Sequence, residues 1–476
     1  SAGITMFLTQ AAPNGGVPSS VERVFAVERL VAGARAILAE KRTIASLSLP
    51  ETGHADLTVD FSGHAEPRGR TLRILYDGVT GEAALMAAVF TGRMPSLALQ
   101  DTATGEIVSN GVPGVEDSST VLALYEAALA GVVTLVVSTV RGWGTKLETP
   151  QKPAAVLQLG RLVKFEVKSL AHTALRQLYR LCCYTPHWRV CWRFVPGADL
   201  WETQTLGGTN WQVLPDPGTH FYADPFPIVY QGRTFIFVED LDHRTNKGVI
   251  SVIPFGSDGP SGPACPVLEE PWHLSYPFVF ERDGQLWMIP ESSSNRTVTL
   301  YRAERFPDRW VKEADLLTGI EASDATLVDH DGKLWMFASV RDGIGSCSDR
   351  LSIFHASALH GPWEPHPGNP VVTDQRSARP AGAFVRRNGR LLRPVQDCSR
   401  GYGTGIGLAE VTRLDTEGYS QVVHATLEAP PDWPGRRFHT LNRAGQIEVI
   451  DGAAHSPRSR LLARRLQAWS GRRDLA

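Results

Sequence analysis

The chain is poor in cysteine and methionine, with six and five among its 476 residues. Cys182, Cys183, Cys191, Cys265, Cys347 and Cys398 form no CxxC pair, which argues against a zinc or iron–sulfur site; no metal and no cofactor is expected. No GxGxxG or GxxxxGK loop is present, so neither a dinucleotide nor a P-loop fingerprint is available. An excess of one charge is missing too: 48 basic residues face 50 acidic ones, and no nucleic-acid partner is expected from that balance. No apolar run is read as long enough to span a bilayer, so no transmembrane segment is expected. The opening SAGITMFLTQAAPNGG lacks the basic start of a secretory leader. Scattered thiols fit a reducing, cytoplasmic setting.

Tryptophan and proline are abundant, at 12 and 32 residues, which favours a β-rich and loop-rich body. Most of the tryptophans are read as packing residues, with sugar stacking as the alternative. The dominant pattern is a repeat. HFYADPFPIVYQGRTFIFVED runs from His220 to Asp240, and degenerate copies start at His273, Ser323 and Ala378, with a shorter one at His439. Each pairs an apolar alternating strand with a Gly-containing turn and a second apolar strand. Spacings of roughly 50 residues, built from short strands, predict propeller blades. Five are expected, at 218–260, 271–313, 320–366, 376–424 and 436–453. HWRVCWRF (His187–Phe194) is expected to pair with the last hairpin, which removes the open edges.

The expected fold class is therefore mainly β, a five-bladed β-propeller preceded by a smaller α/β, Rossmann-like domain. The divisions are a flexible N-terminus (1–18), the α/β domain (19–170), a connecting helix and closing strand (171–217), the propeller (218–455), and a basic helix or tail (456–476). In the first part, VERVFAVERLVAGARAILAEKRT has helical spacing, with Val21, Val24, Leu30, Ile37 and Leu38 recurring behind a serine cap. SSTVLALYEAALAGVVTLVVSTV reads as a helix followed by a Val-rich strand. Asp60 to Gly63 and Asp77-Gly78 close strands where such sheets bind ligands, and are read as turn residues.

Residues at one repeat phase converge in a propeller. That phase selects Asp224, Tyr276, Asp324, Arg379 and His439, with His220 and His273 just ahead of two of these strands. Glu239 and Glu291 end second strands after apolar runs. Burial near other carboxylates raises an acid's pKa, and two carboxyl groups of different pKa are what glycosyl hydrolysis requires. Asp224, Glu291, Asp324 and Glu239 are thus the catalytic candidates; His220, His273, Tyr276, Arg379 and His439 are the substrate-binding ones. Asp329, His330 and Asp331 are read as a hairpin turn, and GYGTGIG (Gly401–Gly407) as a connection between β segments.

The motifs HFYADPF, FVED, HLSYPFVFERDGQLWMIPES, LYRAERFPDRW, DATLVDHDGKLWMF and FHTLNRAGQIEVIDG carry a family resemblance. Over about residues 185–453 the chain resembles the N-terminal, non-transferase domain of glucosamine inositolphosphorylceramide transferases and of bacterial stand-alone proteins. More remotely it is similar to five-bladed furanosidase propellers. That similarity implies a general base at Asp224, an orienting aspartate at Asp324, and an acid at Glu291; Tyr276-Pro277 stands where the second blade's aspartate would be. The first 170 residues resemble a formyltransferase region faintly and lack its Asn-His-Asp set. The expected activity is glycoside hydrolysis of an oligosaccharide or glycoconjugate, furanosides included. The alternatives are a glycosyltransferase-type biosynthetic enzyme and a non-catalytic saccharide-binding protein. A bacterial, cytoplasmic protein is expected, with homo-oligomer formation left open.

Overall fold

A computed structural model describes residues 19–32, 57–61, 63, 69–116, 118–143, 159–207, 211–341, 343, 345–429, 433 and 437–459. The expected flexible N-terminus and most of the basic C-terminal segment lie outside these residues. The chain divides into two compact units. The first comprises Ser1–Thr173, Gly343–Asp349 and Pro370–Asp374; the second comprises Ala174–Asp342, Arg350–Asn369 and Gln375–Ala476.

The first unit contains α1 (Ser19–Ala32), β1 (Leu57–Asp60), β2 (Arg70–Tyr76), β3 (Val79–Thr80), α2 (Glu82–Val89), β4 (Leu97–Asp101), β5 (Ile107–Gly111) and α3 (Val121–Val140). The sheet order is β1-β2-β4-β5, with β3 paired to β2. Among the described strands of this sheet, only β1 and β2 run parallel; β2 pairs antiparallel with β3 and β4, and β4 with β5. This corrects the Rossmann-like expectation. The β2–β3 and β4–β5 connections are short turns, and a short turn can join only antiparallel strands.

The Val-rich stretch is a second correction. It does not leave the helix as a strand; α3 runs unbroken from Val121 to Val140. The Thr120 hydroxyl caps it by accepting from the Ala123 N–H at 3.1 Å. The buried Glu28 carboxylate from α1 takes the Val121 and Leu122 N–H groups at 2.6 and 2.8 Å. Those partners satisfy the orphan donors of the first turn. Val121, Leu124, Ala128, Val132 and Leu135 then bury one face against Leu72, Ile74, Leu97 and Leu99 of the sheet. Packing outweighs the small helix penalty of β-branched residues. On length and composition α3 could cross a membrane, contrary to the reading of the sequence, although 61% of its apolar window is buried within the protein. The connecting helix expected within 171–217 starts earlier, as α4 (Leu159–Cys182).

The second unit is built of antiparallel sheets of four or five strands. The first sheet holds His220–Tyr230, Arg233–Asp242 and Lys247–Gly256; the second, Ser275–Arg282, Gln285–Ser292, Thr297–Arg305 and Arg309–Thr318. The third holds Glu321–His330, Lys333–Arg341 and Arg350–Ala356; the fourth, Val385–Arg387, Arg390–Asp397, Gly405–Asp415 and Gly418–Leu427. In the fifth, Leu441–Ala444 and Ile447–Ala453 are joined by Trp188–Phe194, which aligns Phe194 with Ile447 and Trp188 with Ala453. A strand far upstream thus completes the last hairpin.

Local sequence explains the repeated hairpins. Gln231-Gly232, Asp283-Gly284, Asp331-Gly332 and Asn388-Gly389 all have positive φ at both residues. Two such residues make the turn whose twist matches paired strands. Alternate residues of the second strands, such as Phe235 and Phe237, Met288 and Met336, point into one apolar core shared by the first three sheets.

Candidate functional site

The first strands of sheets one to three share a backbone device. Asp224, Tyr276 and Asp324 have φ of 49°, 43° and 57°. Each sits where the ladder slips: opposite Phe237–Glu239, between Ser275 and Phe278, and between Ser323 and Thr326. A bulge of this kind turns a residue's N–H and side chain out of the ladder. The freed N–H groups find neighbouring carboxylates. Asp224 N–H donates to Asp451 Oδ2 at 3.2 Å, Tyr276 N–H to Asp224 Oδ2 at 3.2 Å, and Asp324 N–H to Glu291 Oε2 at 3.3 Å. The left-handed backbone is strained at a tyrosine, and packing holds it: the buried Tyr276 shares a hydrogen bond with Thr326 Oγ1 at 2.9 Å.

One side of the resulting cluster is ionic. His439 lies between two carboxylates, with Nε2 3.0 Å from Asp224 Oδ1 and Nδ1 3.1 Å from Asp451 Oδ2. Asp451 Oδ1 also accepts from the N–H groups of His439 and Thr440, at 2.8 and 3.1 Å. The Thr440 hydroxyl donates to Asp224 Oδ1 at 2.6 Å. Burial pulls His439 down, but Asp451 and Asp224 push it up to about 10. Burial alone would push Asp224 up; the His439 cation and the Thr440 and Tyr276 donors hold it below the usual carboxylate range. Among the described residues, Asp224, His439 and Asp451 are also a set whose donor atoms lie close enough to hold a cation. Both ring nitrogens of His439 already face carboxylates, so the imidazolium is the positive charge that neutralises them.

A second ion pair adjoins it. Arg379 Nε donates to Asp324 Oδ2 at 2.6 Å, and Gln396 Nε2 to the same oxygen at 3.0 Å. Arg379 Nη2 lies 3.7 Å from Glu291 Oε2, while its guanidinium sits over the Tyr402 ring at 4.9 Å. Burial pushes the Asp324 carboxyl up, opposed by Arg379 and reinforced by Glu291.

Glu239 is pushed up like Asp324, but it faces a histidine where Asp324 faces an arginine. Burial first, then the nearby Asp224 charge, pushes its carboxyl well above the ordinary range, with His439 opposing. Its neighbour is a histidine of defined tautomer. His273 Nδ1 accepts from the Gly248 N–H at 2.9 Å, which leaves the Nε2 proton facing Glu239 Oε1 at 3.3 Å. Burial holds His273 below its ordinary pKa, hence neutral at pH 7. Glu239 thus holds its proton more tightly than an ordinary glutamate, beside an Asp224 that holds its own less tightly than an ordinary aspartate.

Asp224, Glu239, Glu291, Asp324, His273, Arg379 and His439 are brought into this network, and Tyr276 enters it through its backbone. The Tyr276 ring is in the core, edge-on to Phe226 at 4.7 Å. His220 goes elsewhere: it lies 2.8 Å from Asp240 Oδ1 and 3.5 Å from Asp242 Oδ2. Arg379 sits one residue ahead of the assumed phase, because its carbonyl accepts from Gln396 N–H as Ala223 pairs with Glu239. Asp451, Thr440 and Gln396 were missed. The signal for Asp451 was present, an acidic residue ending a second strand, as in Glu239 and Glu291. Tyr402, in the GYGTGIG stretch read only as a connection, is also in the network, and Gly405 opens a strand there.

Residues 214–452 match the family described as glucosamine inositolphosphorylceramide transferase 1, N-terminal. The chain belongs to this family. The matched residues enclose the whole cluster. Curated relatives named glucosamine inositolphosphorylceramide transferase 1 come from Oryza sativa subsp. japonica and Arabidopsis thaliana. The rice protein is 34% identical over 249 residues, covering 49% of this chain and 33% of its own length. The Arabidopsis protein is 34% identical over 248 residues, covering 49% and 32%. The chain thus spans about a third of these relatives. They are plant proteins, which overturns the bacterial expectation, and neither they nor the structure supports the cytoplasmic one. Among solved structures, a GH43_1 enzyme from Xanthomonas citri is similar at 14% identity and TM-score 0.37, covering 49% of this chain and 87% of that one. A family 117 glycoside hydrolase from Zobellia galactanivorans is similar at 13% and 0.36, covering 56% and 90%.

Proposed function

We propose that the second unit is the saccharide-handling domain of a glycosyl-transferring, biosynthetic enzyme, with Glu239 donating its proton or a hydrogen bond to a sugar oxygen. The observation that carries this reading is the family match over 214–452, which contains the buried carboxylates and their histidines. We also infer that the five sheets form a closed ring of blades. Hydrogen bonds run from sheet to sheet and back to the start: Tyr276 to Asp224, Asp324 to Glu291, Arg379 to Asp324, Leu441 N–H to Ala381 O, and Thr440 to Asp224. On this reading the cluster stands on the ring's axis.

Glycoside hydrolysis with Asp224 as base is the weaker reading. A general base needs basicity, and the His439 cation with the Thr440 and Tyr276 donors holds the Asp224 carboxyl below the usual carboxylate range. The same donors favour a second reading, saccharide recognition without chemistry. The test incubates the full chain with a panel of activated sugars, glycosides and acceptor glycans, alongside Glu239→Gln. Transfer by the wild type, lost in the variant, is the expected result. Hydrolysis without transfer, lost in Asp224→Asn, would restore the hydrolase. Saccharide binding with no turnover by either protein would leave recognition as the function.

A further inference from the structure

Helix α4 leaves an apolar face in solvent. Val163, Val167, Leu175, Leu178 and Leu181 are 58%, 63%, 61%, 58% and 76% exposed. Their spacing of three, four and eight residues places them on one side of a helix. The opposite side makes the contacts. Phe165 packs against the core of the first unit, the Ser169 hydroxyl donates to the Ser119 carbonyl, and Tyr179 is hydrogen bonded to His455 Nδ1 at 2.6 Å. The helix is therefore anchored along one side, and its leucines and valines point away from it.

The charge of this helix narrows what covers that face. Lys164, Lys168, Arg176 and Arg180 are all exposed, Arg161 adds a fifth basic residue in sequence, and Glu166 is the one acidic residue in the helix. An apolar stripe flanked by cations matches the boundary of an anionic bilayer, where acyl chains take the apolar side chains and headgroups the cations. Two other occupants fit poorly. A second copy of the chain would set cations against cations. The C-terminal segment begins beside the helix end, since Ser456–Pro457 pairs with Cys183–Tyr184, yet it carries Arg460, Arg464, Arg465, Arg472 and Arg473. That segment adds to the positive charge rather than neutralising it.

We propose that α4 is a membrane-surface helix that docks this protein, in the plane of the interface, onto anionic lipid. The inference does not depend on the carboxylate cluster. The test is sedimentation of the full chain with phosphatidylcholine–phosphatidylserine vesicles and with pure phosphatidylcholine vesicles, with circular dichroism and light scattering run in parallel. Binding should be at least tenfold stronger on the anionic vesicles and should weaken as salt rises. Leu175→Ser with Leu178→Ser, at exposed positions, should lose about tenfold with the fold unchanged. Arg180→Glu with Lys168→Glu should lose a similar factor. Equal binding to both vesicle types, no binding to either, or binding unchanged by the leucine variants would overturn the proposal. A dimer in light scattering that the leucine variants convert to monomer would assign the face to a second copy instead. Vesicle binding that appears only when 460–476 is removed would assign it to the C-terminal segment.

Discussion

The two ends of the carboxylate cluster solve the same problem in opposite ways. Around Asp224 and Asp451, buried charge is retained and neutralised by the His439 cation and a set of N–H and O–H donors. Around Glu239, charge is avoided: the carboxyl keeps its proton beside a neutral histidine. Burying a charge is tolerable only with close partners, and burying an acid without them raises its pKa. The first arrangement holds the sheets in place, whereas the second leaves an acid able to give up a proton. On the proposed function, the first end is structural and the second does the chemistry.

Removing the cation should have the largest effect. His439→Ala leaves Asp224 and Asp451 facing each other in the interior, and a loss of about 3–5 kcal/mol is expected in urea unfolding. A loss under about 1 kcal/mol would mean that the backbone donors suffice. The same residue sets a pH dependence. Its folded pKa, about 10, lies above the ordinary histidine value, so its stabilisation is complete below roughly pH 6.5 and is lost as pH rises towards the folded value. Wild type should weaken through that alkaline window, while His439→Ala should show a flatter profile. Arg379→Gln comes next, at about 2 kcal/mol, since it strips the charged donor from a buried carboxyl. The smallest effect on stability belongs to Glu239→Gln. A carboxyl with a raised folded pKa costs stability as pH climbs above its unfolded value, so the isosteric amide should be neutral or stabilising by up to about 1 kcal/mol near pH 7, while turnover falls.

The repeat phase was legible because each copy keeps a small residue, the bulged position and an apolar strand in the same order. That order located Asp224, Tyr276 and Asp324 at equivalent places. Partner choice was not legible. His220 differs from the cluster by strand alternation: Glu239 and Asp240 point to opposite faces, and His220 meets Asp240. Asp451 escaped because the last hairpin turns through Gly445-Gln446, with Ala444 aligned to Ile447, and its acid comes two residues earlier along the second strand than Glu239 and Glu291 do. The Val-rich end of α3 has strand propensity, yet Glu28, remote in sequence, caps its start and the sheet buries its face. In the first unit the mixed sheet follows from turn lengths that apolar periodicity does not report.

The claim that separates the two ends is that Glu239 holds its proton at neutral pH while Asp224 does not. Infrared difference spectra of wild type against Glu239→Gln and against Asp224→Asn, recorded near pH 7, read this directly, because a protonated carboxyl and a carboxylate absorb at different frequencies. A protonated carboxyl band lost only in Glu239→Gln is the predicted result. A carboxylate band lost in Glu239→Gln, or a protonated band lost in Asp224→Asn, would contradict the account.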